Sequence, residues 1–566
     1  MSSRNSDNMA LQDVIEKHSK TVGTTYSGRS YHAVQHIIRS LDYVFPLYYK
    51  SDVLADNKVE EFREFFMLGW VTLLKKYYGD IDVNTLEPFP LMTDEAINWA
   101  YSNIIYSGKI EFCKQLISLE KAGLIQIICT NQNEYTFKYL NEKIGLERFD
   151  VNSYTFYKEK IVEQFISEKK KKKPLDKQKI ISEFKKQIKN PDGELISYTT
   201  TPEIDDYYQA EGHYHVLRIQ GYDDFDEGDT FGGISYKKYV DIIEMIVGVA
   251  LKHLDACLEL KLMNKNVNLH NLLTYTFFKD KTIEAYADYS GFDIEEVKQI
   301  ISCVTLSKEN FDYYLEYPGS PPPMYFHVSE NILIRSIAGC LSNPFSLLNR
   351  ELKRKYKKDY DKALNNRENR FRDQLFSLLP NERIVKIPKE INIAFRGMKT
   401  DIDAIAFDTK TGTLGLFQLK WQDPFAKSMK ERYSRISNLF PKANEWIEKM
   451  RFWVFNNRYE TIINSLQIDK YYKGRTPIND ICVFIIARNA INFTGIENKD
   501  ETVAWSSWYQ LIEAQARIKT SFDDPIKEMF VKIKSFDPRI RLEKEEQHSL
   551  SDIEVYIGET KIYYKK

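Results

Sequence analysis

Apolar and polar positions divide this chain into stretches of different period. From Leu11 to Phe165 the period is mainly helical: in VEEFREFFMLGWVTLLKKYYGD, Phe62, Phe65, Phe66, Trp70, Leu73 and Leu74 recur at helical spacing. Such an aromatic stripe packs a core. In EFCKQLISLEKAGLIQIICTNQNEYTFKYL a helix stops near Gly123 and two short strands flank the polar turn Thr130 to Glu134. Residues 111–140 thus show the helix-then-hairpin order of a winged-helix element, an order that plain helix–hairpin units share. Residues 1–166 read as a mainly helical N-terminal domain.

The next segment, SEKKKKKPLDKQKIISEFKKQIKNPDGE, carries a lysine run, a Pro stop and a second lysine-rich helix. It reads as a basic linker over 167–195. The mixed middle domain, 196–342, holds strand-like pieces such as HYHVLRIQGY, then the helix SYKKYVDIIEMIVGVALKHLDACLELKL. DDFDEGD resembles a calcium loop but fails on spacing, because counting from Asp224 the sharp-turn position is Asp229 instead of Gly and the last is Ser235 instead of Glu. It reads as an exposed acidic turn. His213 and His215 would share one face of a strand, and His32 and His36 one face of a helix; neither pair has an adjacent third metal ligand.

From about Asn343 a long helix runs through LNRELKRKYKKDYDKALNNRENRFRDQLFSLLP to Pro380. Its stripe is Tyr360, Leu364, Phe371, Leu375 and Leu378, and Glu368 falls at the stripe's edge. A carboxylate there calls for a partner, with Arg367, Arg370 or Arg372 as the ordinary ones. In TDIDAIAFDTKTGTLGLFQLKWQ, Asp401, Asp403, Ile405 and Phe407 alternate with Ile402, Ala404 and Ala406, DTKTG makes a turn with Gly412 at positive φ, and the returning strand places Leu414, Leu416, Gln418 and Lys420 on one face. A hairpin of this length brings Asp403 to the same end as Gln418 and Lys420.

Composition changes this picture in a few respects. At 566 residues, with 43% hydrophobic and 28% charged residues, the chain is globular and too long for one core. The net charge of −1 hides an excess of eight positive charges between residues 351 and 450, which suggests a polyanionic partner for that region. The six cysteines are scattered and form no C-x-x-C pair, as expected of reduced core residues. The start has no apolar leader and no segment reaches membrane-span length, so a soluble, cytoplasmic protein is expected.

The chemistry concentrates at the hairpin. Glu368, Asp403 and the amide oxygen of Gln418 are hard oxygen ligands suited to Mg²⁺, and Lys420 can orient or deprotonate a water and offset charge on a phosphate in transition. Phosphodiester hydrolysis needs those functions. A helical Glu, an Asp-bearing strand, a turn and a strand ending Q-L-K resemble the PD-(D/E)xK nuclease superfamily, and the Q-x-K form is similar to its Mrr-like restriction endonuclease branch.

The resemblance covers roughly residues 345 to 520, within a C-terminal domain taken as 343–566. It implies an α+β protein whose C-terminal part is a restriction-endonuclease-like mixed sheet flanked by helices. It also implies a Mg²⁺-dependent endonuclease, Mn²⁺ substituting, with catalytic Glu368, Asp403, Gln418 and Lys420, metal ligands Glu368, Asp403, Gln418 and the carbonyl of Leu419, and Asp401 as an accessory acid. The implied setting is bacterial restriction or antiviral defence, and many related nucleases cut as dimers. Lys427, Lys430, Arg432 and Arg435 could contact the backbone of a nucleic acid, DNA before RNA. Two departures stand out: no P-D dipeptide precedes Asp401, and Gln418 occupies the place of the usual second acid. The alternative is a non-catalytic protein that keeps a degenerate nuclease fold to bind nucleic acid or a partner. Walker-type phosphate loops are absent.

Overall fold

The computed structural model describes residues 10–24, 26, 28–49, 58–85, 89–131, 133–140, 146–172, 177–190, 195–380, 382–421, 429–493, 499–517, 523–537 and 554–564. The protein is a multidomain α+β fold with more helix than strand and several small sheets. Among the described residues no helix is long and apolar enough to cross a membrane. The cysteines are free thiols, buried except for the half-buried Cys129.

The chain forms two compact units: Met1–Lys138 with Val162–Asp361 and Leu550–Lys566, and Tyr139–Ile161 with Lys362–Ser549. This division differs from the four consecutive segments expected from sequence. The strand Thr560–Tyr564 pairs in parallel with Glu134–Tyr139 and antiparallel with Glu554–Ile557, which carries the last described residues into the first unit. Asp150 accepts hydrogen bonds from the N–H groups of Ile491 (3.0 Å) and Asn492 (2.9 Å), which ties Tyr139–Ile161 to the second unit. Neither tie leaves a local pattern.

In the first unit the helices Lys58–Tyr78 and Asp94–Lys121 cross where two glycines meet. A Cβ on Gly69 would lie 1.9 Å from the Ile104 carbonyl oxygen, and one on Gly108 1.9 Å from that of Phe65. Only hydrogen fits there. Phe66, Trp70, Leu73 and Leu74 are buried, as the stripe requires. The hairpin Ile125–Asn131/Glu134–Tyr139 is half of a four-stranded sheet completed by the last two strands, so the winged-helix pattern ends in a shared sheet instead of a free wing. Most of the expected linker is helical, in Glu147–Lys172 and Lys177–Gln187.

The strand expected at HYHVLRIQGY is instead the end of a helix, Pro202–Arg218. Thr201 caps it through a bond accepted from the Ile204 N–H, and Pro202 opens it, so the start chemistry outweighs a short alternation downstream. His213 and His215 then diverge, the first to Glu244 at 2.8 Å and the second to the Leu341 carbonyl at 3.2 Å.

The second unit is built on a mixed sheet. Its elements here are α1 (Lys357–Ser377, which belongs to this unit from Lys362 on), β1 (Ile384–Ile387), β2 (Ile391–Phe395), β3 (Met398–Ile402), β4 (Ala404–Asp408), β5 (Thr413–Lys420), α2 (Met429–Phe455), β6 (Asp480–Ala487), β7 (Ala504–Ser507), α3 (Trp508–Arg517) and α4 (Pro525–Ser535). The long helix expected from Asn343 is broken at Tyr356, and α1 starts afresh beyond it. Strand order is β1-β4-β5-β6-β7, antiparallel from β1 to β5 and parallel from β5 to β7. One sheet face packs Ile405, Phe407, Leu414 and Leu416 with Trp446 and Ile447 of α2. The other packs Ala404, Ala406, Phe417 and Leu419 with Phe371 and Leu375 of α1 and with residues of α3 and α4. A two-stranded ribbon, β2 with β3, extends from the β4 end.

The turn between β4 and β5 needs Gly412 twice over: its φ is +76°, and a Cβ would lie 2.2 Å from the Pro477 carbonyl oxygen. Gly412→Ala is therefore expected to cost more than about 1 kcal/mol. A denaturant titration checks this, and a loss of only a few tenths would mean that the turn can shift away.

Candidate active site

The site forms where β3 gives way to β4. Ile402 packs in the same core as Ile405 and Phe407, whereas Ala404 and Ala406 face the other core. Two residues therefore separate Ile402 from the next residue on its side, and the alternation expected from sequence breaks at Asp403, which stands in a bend. The extra residue lets β3 pair with β2 while β4 pairs with β1 and β5. Arg372 on α1 holds the bend by donating from Nε to the Asp403 carbonyl.

The last β4–β5 pair is Ala404 with Phe417, so β5 runs on beside the bend without a ladder partner in β4. The Asp403 carboxylate fills that gap. Its Oδ2 accepts from the Leu419 N–H at 2.6 Å and from Gln418 Nε2. In an extended strand the N–H and C=O of one residue emerge on the same edge, so the Leu419 carbonyl is directed to the Asp403 side as well. Gln418 is buried and meets Asp403 through its amide nitrogen; a half-turn of the amide would offer the oxygen instead. The Lys420 carbonyl accepts from the Arg488 N–H at 2.8 Å on the opposite edge.

Charge sets the character of this end of the sheet. Burial pushes the Asp403 carboxyl up to about 6; Lys420 and the Leu419 N–H oppose the shift, while Asp401 and Glu368 add to it. Among the described residues, Glu390, Asp401 and Asp403 are the group of potential ligand side chains whose oxygens all lie within 4.8 Å of one another. Each is half-buried, so the repulsion is only partly screened.

The structure thus brings Asp403, Gln418, Leu419, Lys420 and Asp401 together and adds Glu390, which stands just before β2. Glu368 departs from expectation. It is exposed on α1, outside that carboxylate group, and acts on Asp403 at longer range. The buried line of α1 runs through Ala363, Arg367, Phe371 and Leu375, so the position read as a buried carboxylate is occupied by Arg367. No ion pair to Glu368 is found among the described residues. Lys427 lies outside the described residues, as do the side chains of Lys430, Arg432 and Arg435 at the start of α2.

Sequence reasoning missed a basic wall beside Lys420. Arg367, Arg370 and Arg488 place their guanidinium carbons 5.4, 5.3 and 4.9 Å from the ring centre of Trp421, the residue after Lys420. Arg488 is almost fully buried and also donates to Gln374 Oε1 at 2.9 Å. The one sequence sign was Arg488 closing the apolar run ICVFIIA. No protein-family model, curated protein or solved structure matches this chain.

Proposed function

We propose that the second unit is a Mg²⁺-dependent nuclease that hydrolyses phosphodiester bonds, with DNA as the substrate and defence against foreign DNA as the setting the family resemblance implies. The observation that carries this reading is the meeting of Asp403, Gln418, Leu419 and Lys420 at one end of a mixed sheet, with Asp403 bonded to Gln418 and Leu419 and acted on by the Lys420 charge. Three close carboxylates, one with its affinity for protons raised, are a donor set that fits a hard divalent cation. Asp403, Asp401 and Glu390 would hold it, with the Leu419 carbonyl and Gln418 oxygen beside them. Bound there, Mg²⁺ would polarise a phosphoryl oxygen and acidify a water.

The chain's own groups supply the rest. Lys420 orients the attacking water and sets positive charge where the phosphate gains negative charge. Asp403 is fixed in position by the Leu419 N–H, and Arg372 fixes the backbone that carries it. Of the arginines around Trp421, Arg367 and Arg488 are buried, and the half-buried Arg370 is the one that would meet a flanking phosphate. The test is cleavage of linear and supercoiled DNA and of RNA by the purified protein with Mg²⁺, beside Lys420→Ala and Asp403→Ala. Cleavage at the wild-type level by both variants would overturn the proposal.

One observation favours the second reading, a binding module without catalysis: the Gln418 amide already satisfies Asp403 as a neutral donor. Metal titration separates the two. Glu390→Gln is expected to weaken Mg²⁺ binding about tenfold by isothermal calorimetry and Glu368→Gln no more than about threefold, in line with their positions. The reverse ranking would restore Glu368 as the ligand. No binding by the wild type would favour the non-catalytic module.

A further inference from the structure

The first unit contains a cavity of about 470 Å³, a size common for small-molecule sites, between the helices Pro202–Arg218, Tyr236–Met263 and Lys279–Ser290 and the sheet strands Tyr275–Phe278 and Ile332–Arg335. Its walls are mostly apolar and aromatic: Tyr208, Phe277, Tyr286, Tyr325, Met245 and Val249 line it. Of the three cations that line it, Lys252, Lys281 and Arg335, the arginine is the buried one. Arg335 is 2% exposed, and its guanidinium carbon lies 4.9 Å from the Phe277 ring centre.

The charges around the cavity are balanced unevenly. Lys252 pairs with Asp205, and Lys281 pairs with Glu284, so both lysines that line it have counterions. Arg335 has no carboxylate within ion-pair distance among the described residues, and its Nε atom has no hydrogen-bond partner there. The groups that act on it are Tyr286, Cys340, Tyr325 and Tyr198. These stay neutral at ordinary pH, since burial holds Tyr325 well above the usual phenol range and pushes the Cys340 thiol up to about 12. The buried Asp42, close by through Ser336, is committed elsewhere, accepting from Ser336 Oγ, the Ala338 N–H and Thr274 Oγ1. A buried guanidinium without a counterion is costly to keep, and its fork matches a carboxylate or phosphate.

We propose that this cavity binds a small organic anion built on an aromatic ring, the ring lying among Tyr208, Phe277, Tyr286 and Tyr325 and its phosphate or carboxylate meeting Arg335. The proposal does not rest on the nuclease reading. It is tested by isothermal calorimetry on the full chain with 2-naphthyl phosphate and 2-naphthoate, which separate the two anions, and with 2-naphthol and inorganic phosphate, which carry only the ring or only the charge. At least one ring anion is expected to bind, with each half alone weaker by about tenfold or more. Arg335→Met is expected to weaken the ring anion about tenfold or more and leave 2-naphthol unchanged. Ala285→Phe, at an exposed position that lines the cavity, fills it with the charge left in place and is expected to abolish binding. It serves as the test if Arg335→Met does not fold. Failure of both ring anions to bind the wild type would overturn the proposal, as would equal binding of 2-naphthol, or binding that survives every folded variant of the two.

Discussion

Lys420→Ala is expected to lower Mg²⁺-dependent cleavage by about 10³-fold while leaving nucleic-acid binding nearly intact. The magnitude follows from the role: a preorganised positive group aimed at charge that develops only in the transition state contributes to turnover far more than to ground-state binding. Lys420 suits that role because it stands half-buried at the end of β5, where its charge acts directly on Asp403. Lys420→Arg should not restore the wild-type rate. A guanidinium keeps the charge, but it is planar, cannot release a proton and needs more room than the ammonium it replaces. Single-turnover cleavage rates, with binding measured separately in Ca²⁺, check both variants. An alanine variant that loses binding and rate in proportion would make Lys420 a phosphate-contact residue and remove it from the chemistry.

Much of this site could be read from sequence for a physical reason. The side-chain period of a strand is two, so Gln418 and Lys420 must share a face, and a turn at Gly412 must return β5 toward Asp403. What escaped reading depends on contacts between distant residues. The break at Asp403 is one residue of slippage, invisible without knowing that β3 and β4 have different partners. Glu390 lies in an irregular stretch before β2, where no period applies. On α1, a one-residue difference in phase separates the exposed Glu368 from the buried Arg367, and apolar spacing alone favoured the carboxylate because Arg367 is itself polar. Arginines that bury themselves against Trp421 behave as core residues by their faces and as charges by their edges, which hydropathy does not register. The C-terminal strands join the first unit by pairing with Glu134–Tyr139 and by burying Val555, Ile557 and Ile562, contacts with residues more than 400 positions away that no local period signals.

Asp403→Asn should stabilise the protein at pH 8 and leave it unchanged near pH 4, while abolishing its response to Mg²⁺. Burial raises the Asp403 carboxyl to about 6, above the value of about 3.9 of an unfolded chain. A group shifted in this direction contributes its stability in full below about 3.9 and loses it as pH rises through about 6. That gap corresponds to up to about 3 kcal/mol of destabilisation at pH 8, where the ionised carboxylate faces Asp401 and Glu390. Asparagine relieves it without breaking the local bonds: its carbonyl can accept from the Leu419 N–H and Gln418 Nε2 as Oδ2 does, and its amide can donate toward the neighbouring carboxylates. The expected readout is an unfolding transition several degrees above wild type at pH 8, converging with it as pH falls toward 4. Mg²⁺ should close the same gap from the other side, raising the wild-type transition at pH 8 and not that of the variant. A variant destabilised equally at both pH values would mean that the carboxylate is satisfied by its hydrogen bonds alone, and the site would then have no electrostatic need for a cation.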